Sequence, residues 1–126
     1  MSHIVGIELE IKSLKALEKA CKRLGCELVI DQKKHTYYYG QGDCDHAIRV
    51  PGASYEVGVV KNDNKGFNLT WDNYSTGGLT HVLGQNAGML KQAYGIEQAK
   101  AAARLKGFSV TEKKLENNEI QLVVNM

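Results

Sequence analysis

The chain reads as an α+β domain: a ferredoxin-like two-layer sandwich in which a mostly antiparallel sheet carries two helices on one face. Three observations predict it. Val5, Ile7, Leu9 and Ile11 alternate with Gly6, Glu8, Glu10 and Lys12, the period of a strand with one dry face. Leu14, Leu17, Ala20, Cys21 and Leu24 then fall on one helical stripe, so a helix follows the strand at once. Several short strands come next, then a second helical stretch and two more strands. Strands in runs with segregated helices favour an antiparallel or mixed sheet.

Each element has a local cause. Ser13 offers an N-cap to the first helix, and Gly25 closes it where a left-handed residue is wanted. Leu28, Val29 and Ile30 begin the next strand. Asp31 to Lys34 is a polar turn. His35 to Tyr39 reads as a strand, with Tyr37 and Tyr39 on one side and Tyr38 on the other. Gly40 to Asp45 reads as a loop. Ala47 to Val50 is a short strand stopped by Pro51-Gly52. Tyr55, Val57 and Val59, then Phe67, Leu69 and Trp71, alternate on either side of Asn62 to Gly66, the pattern of a hairpin. Asp72 to Gly78 has no period.

Helical spacing returns near Leu79, with Val82, Leu83, Met89, Leu90, Ala93 and Ile96 on a stripe. Gly84, Gly88 and Gly95 interrupt it, each at a cost of about 1 kcal/mol relative to Ala, which predicts a kinked or loop-like front. Gln98 to Lys106 is strong helix and Gly107 its stop. Phe108 to Leu115 and Glu119 to Val124 pair across Asn117-Asn118, with Ile120, Leu122 and Val124 as the dry face.

A length of 126 residues predicts one domain, 1–126, large enough for a core without staples. Apolar residues at 43% and charged residues at 24% place the chain among ordinary globular proteins, not disordered ones. A net charge of +2 is too small to imply nucleic acid or an anionic membrane as partner. Three cysteines at scattered positions argue against a disulfide framework. Met1-Ser2-His3 followed by a strand lacks the character of a signal peptide, and no window approaches a membrane span. The expected compartment is the cytoplasm. The sequons Asn68-Leu69-Thr70 and Asn73-Tyr74-Ser75 are then accidental.

Met-Ser-His at the start, Ala53-Ser54-Tyr55-Glu56-Val57-Gly58-Val59-Val60, Leu90-Lys91-Gln92-Ala93-Tyr94, Gly107 to Glu112 and Ile120 to Val124 together carry a resemblance. The chain resembles the hypothetical chloroplast reading frame thirty-five family, small proteins with a domain of unknown function whose relatives occur in cyanobacteria, other bacteria and some phages. Members often end in a basic residue and Trp; this chain ends Val124-Asn125-Met126. The family supplies no catalytic residues to carry over. Its frequent gene association with AAA+ ATPases implies a protein partner of that class.

Four clusters invite chemistry. Asp43-Cys44-Asp45-His46, with His35 upstream, offers thiolate, imidazole and carboxylate ligands, so His35, Cys44 and His46 are the candidate metal set. The paired cysteines of a structural zinc site are missing, and a solvated loop is the plainer reading. Cys21 and Cys26 are not a Cys-x-x-Cys pair, and Cys21 lies on the apolar stripe. Tyr37, Tyr39, Tyr55 and Trp71, with Tyr38, are candidates for partner contact or for stacking on single-stranded nucleic acid. No ribonucleoprotein consensus accompanies them. Tyr74 to His81 is a glycine-containing approach to a helix, with Thr80 as the expected N-cap, and matches no phosphate-binding fingerprint. No nucleophile–base–acid set is visible, and no cofactor is implied. The expectation is a non-enzymatic protein-binding or adaptor module. The alternatives are a single-strand-binding module and a metal-binding protein.

Overall fold

A computed structural model describes residues 4–74, 77–117 and 119–126. Met1-Ser2-His3 of the family resemblance, Ser75 and Thr76 of the glycine-containing loop and its sequon, and Asn118 of the asparagine pair lie outside the described residues.

The strands are β1 (Ile4–Ile11), β2 (Glu27–Val29), β3 (Lys34–Tyr37), β4 (Gly40–Asp43), β5 (His46–Arg49), β6 (Glu56–Lys61), β7 (Phe67–Asp72), β8 (Ser109–Lys114) and β9 (Ile120–Asn125). The helices are α1 (Leu14–Arg23), α2 (Leu79–Leu83) and α3 (Gly88–Leu105). The fold is α+β, with a five-stranded antiparallel sheet in the order β1-β7-β6-β5-β2 and α1 packed against α3 beside it. β3–β4 and β8–β9 form separate two-stranded sheets.

This order does not reproduce the ferredoxin-like topology expected. There, the first strand lies inside the sheet and the last returns to pair in it. Here β1 and β2 occupy opposite edges, because the consecutive hairpins β5–β6 and β6–β7 pair with each other and fill the space between. Among the described residues the last two strands pair only with each other: the turn at Gly107 sends β8 back along α3 instead of into the sheet.

The local signals explain the helices. The Ser13 hydroxyl accepts the Ala16 N–H at 3.1 Å, the N-cap bond expected. At the other end of α1, the Gly25 N–H bonds the Lys22 carbonyl and the Cys26 N–H the Cys21 carbonyl, a Schellman motif on a left-handed Gly25. Gly107 and Phe108 close α3 in the same way, through the Arg104 and Ala103 carbonyls. The glycine-rich front is broken as expected. α2 stops at Gly84, a 3-10 turn spans Gln85–Ala87, and only then does α3 begin. Thr80 lies inside α2; the N-cap is Gly78, not Thr80.

One face of the sheet makes the core. Ile7, Leu69 and Val59 form one row across β1, β7 and β6, and Leu28, Ile48 and Val57 another across β2, β5 and β6. These six side chains join Leu17, Ala20, Cys21, Leu83, Leu90 and Tyr94 of the helices in one buried cluster. The Tyr94 hydroxyl ties the layers, accepting from the Lys12 and Ser13 N–H groups at 2.9 and 3.2 Å. β1 is not a simple alternation: Ile7 and Ile11 pair with Leu69 and Phe67, so β1 carries a bulge between Ile7 and Glu10. No helix among the described residues is long and apolar enough to cross a membrane.

Candidate functional site

The outer face of the sheet is partly covered. The β3–β4 hairpin lies across β6 and β5, and His35 is the side chain between them, 2% exposed. Glycine makes this close approach possible. A Cβ at Gly58 would stand 2.6 Å from His35 Cδ2, and one at Gly42 would stand 3.0 Å from His35 Nε2. The His35 Nδ1 is buried and has no hydrogen-bond partner among the described residues. Burial therefore pulls the imidazole pKa below its ordinary 6.5, against a smaller opposing pull from Glu56.

Two carboxylates of the sheet pin the hairpin through its backbone. Glu56 Oε1 accepts the Thr36 N–H at 3.0 Å and the Gln32 side-chain amide at 2.9 Å. Asp72, fully buried, accepts the Tyr38 N–H on Oδ2 and the Tyr74 N–H on Oδ1, both at 3.0 Å. Charge-assisted bonds of this kind hold a buried carboxylate in place of water.

Asp72 thus sets the position of an aromatic cluster. Tyr38 and Tyr39 are the two residues of the hairpin turn, and neither has the positive φ common there; Gly40 takes it, at 124°. Tyr38 packs edge-to-face on Tyr39 with centroids 4.7 Å apart, and on Tyr74 at 5.5 Å. Tyr38, Tyr39 and Tyr74 are 51%, 54% and 40% exposed. An exposed patch of aromatic side chains in mutual contact has the composition of a contact surface.

Of the residues singled out from sequence, Tyr39 belongs to this patch and Tyr37 stands beside it, half-buried and tilted against His35 at 6.0 Å. Tyr55 and Trp71, 8% and 3% exposed, belong to the buried core and not to this patch. Tyr38 and Tyr74 carry the patch instead. The strand expected over His35 to Tyr39 ends at Tyr37, which leaves Tyr38 and Tyr39 in the turn. The available signal was a pair of tyrosines directly before Gly40, where a turn is more economical than a strand.

The metal candidates do not converge. His35 sits under the hairpin on the outer face, whereas His46 packs on Phe67 at 5.4 Å and its Nδ1 accepts the Asp31 N–H at 2.9 Å. The Cys44 thiol donates to the Gln32 carbonyl at 3.1 Å, and burial raises its pKa. Asp45 accepts the Lys61 N–H at 2.7 Å, and Asp43 pairs with Lys34. Each polar group of the loop thus has its own protein partner, and no three His, Cys, Asp or Glu side chains gather at metal-binding spacing among the described residues. Cys21 is likewise inert at neutral pH: burial first, then Cys26 and Glu18, push its thiol up to about 12.

A separate cleft of about 260 Å³ opens at the bulged edge of β1, lined by Glu8, Trp71, Asn73, Asn86 and Lys91 among others. It offers one carboxylate and one ammonium group. Compared with known protein families, curated proteins and solved structures, the chain matches none.

Proposed function

We propose that this protein is a non-enzymatic protein-binding or adaptor module, gripping its partner with Tyr38, Tyr39 and Tyr74. The observation that supports this reading is the exposed tyrosine cluster, with Tyr38 edge-to-face on both Tyr39 and Tyr74 and Asp72 accepting from the Tyr38 and Tyr74 backbones. Tyrosines locked by packing lose little entropy on contact, which is why they recur as anchors of protein interfaces. The partner class implied by the family resemblance is an AAA+ ATPase.

Tyrosines also stack on bases, so single-stranded nucleic acid is the competing ligand. A net charge of +2 gives weak support for phosphate contacts, and Lys34 and Arg49 are engaged with Asp43 and Glu56.

The test is affinity capture from the native host with the wild-type chain and with a Tyr38→Ala/Tyr39→Ala/Tyr74→Ala variant. A stoichiometric protein held by the first and lost from the second is expected, since one lost aromatic anchor costs about 2 kcal/mol, roughly 30-fold in affinity. Equal recovery by both, or recovery by neither, refutes the reading. A single-stranded oligonucleotide shifted at low salt by the wild type alone transfers the patch to nucleic acid.

A further inference from the structure

The β8–β9 hairpin has two unlike edges. β8 carries Glu112, Lys113 and Lys114, and charge along an edge guards against strand addition. β9 has no charged residue, proline or glycine from Ile120 to Asn125. No strand other than β8 pairs with it among the described residues. β8 is the strand laid against α3, and β9 hangs further out, leaving Ile120 and Leu122 half-exposed and Val124 exposed.

The ladder fixes which backbone groups face the open edge. Leu115 donates to the Glu119 carbonyl at 2.8 Å, which makes Leu115–Glu119 a hydrogen-bonded pair. Bonded and non-bonded pairs alternate in an antiparallel ladder. Lys113↔Gln121 and Thr111↔Val123 are therefore bonded pairs, whereas Glu112↔Leu122 and Val110↔Val124 are not. The N–H and C=O groups of Ile120, Leu122 and Val124 consequently point away from β8.

Those groups are self-complementary about Leu122. In a second copy laid antiparallel, with Leu122 opposite Leu122, Ile120 of each chain faces Val124 of the other, and Gln121 faces Val123. Every outward N–H and C=O of the three residues then meets a partner. Opposed residues share a face, so the apolar rows of both hairpins join on the helix side. Like charges meet nowhere along the seam. A two-stranded ribbon, marginal alone, becomes a four-stranded sheet.

We infer that this chain forms a two-fold dimer through β9, in register on Leu122. The inference is independent of the tyrosine reading. Sedimentation equilibrium from about 1 to 200 μM tests it, a range that spans the usual strength of such contacts. The mass is expected to double across that range. Ile120→Lys and Val124→Glu should each raise the dimer dissociation constant at least about tenfold, the cost of an unpaired charge in an apolar row. The double variant should recover dimer, because the introduced cation of one copy then faces the introduced carboxylate of the other.

A covalent readout stands beside this. Bonded antiparallel pairs hold their Cα atoms about 5.5 Å apart, within disulfide reach. Leu122→Cys should oxidise to a covalent dimer and Val123→Cys should not, in chains whose far-UV spectra match wild type. A monomer at every concentration without a Leu122→Cys crosslink overturns the inference, as does a dimer that neither Ile120→Lys nor Val124→Glu weakens. Either result leaves the capture experiment on Tyr38, Tyr39 and Tyr74 unaffected.

Discussion

Gly58→Ala probes a close approach between the β3–β4 hairpin and the sheet. Its Cβ would lie 2.6 Å from His35 Cδ2, 2.8 Å from His35 Nε2 and 2.8 Å from Thr70 Oγ1. Gly42 crowds the same Cδ2–Nε2 edge of the ring, where a Cβ would stand 3.0 Å from Nε2. Overpacking against a crowded ring costs about 1–3 kcal/mol. For a chain of 126 residues each kcal/mol moves the melting temperature by about 4 °C, so a loss of about 4–12 °C is expected by circular dichroism. The companion variant is His35→Ala, which removes the obstacle. In the His35→Ala background, Gly58→Ala should cost well under half of what it costs alone, a coupling that double-mutant analysis isolates. A Gly58→Ala shift below about 1 °C, or costs that simply add, would refute the reading that His35 fills the space over Gly58.

The remaining predictions concern charge. His35 is held neutral by burial, so its folded pKa lies below the unfolded 6.5. Above 6.5 both states are neutral and nothing is lost; as pH falls below 6.5 the unfolded chain takes the proton first and stability declines. Urea midpoints between pH 7.5 and 5 should fall accordingly, and His35→Phe should flatten that slope. Glu112 accepts both Arg23 nitrogens at 2.6 and 3.0 Å and also pairs with Lys100; hydrogen bonds to Arg23, then Lys100, pull its carboxyl down to about 2. Its contribution is present above the ordinary 4.5 and lost as pH falls toward about 2. Because the triad is partly solvated, Glu112→Gln should cost only about 1 kcal/mol at low salt and less at 0.5 M NaCl, read from chemical denaturation. Equal cost at both salts would argue that the triad is not electrostatic in origin.

Local signals were legible in the sequence, and distant pairings were not. Ser13, Gly25 and Gly107 act within one turn of where they sit, and their bonds are those expected. The β6–β7 hairpin and the broken front of the second helical stretch follow from neighbours in the chain as well. Strand order is different in kind. Whether β1 lies at an edge or in the middle depends on whether β7 reaches it, a choice made across some sixty residues. β4 replaces the loop expected over Gly40 to Asp45, because Gly40 and Gly42 remove the alternation that marks a strand while the ring of His35 requires Gly42. The aromatic patch was half legible. Trp71 sits two residues from Leu69 on the same dry row, which consigns it to the interior. Tyr38 and Tyr74 meet where Asp72 binds both backbones, a long-range bridge that periodicity does not encode.

The placement of β1 and β2 on opposite rims, joined by α1, has a consequence for how the molecule comes apart. One rod straps both margins of the sheet. Loosening it releases two borders at once, so neither rim can peel away while the other holds. Amides of β1 and β2, separated by the full width of the sheet, should then share a single hydrogen-exchange opening energy. Independent exchange at the two rims would show that the strap does not bind them into one unit.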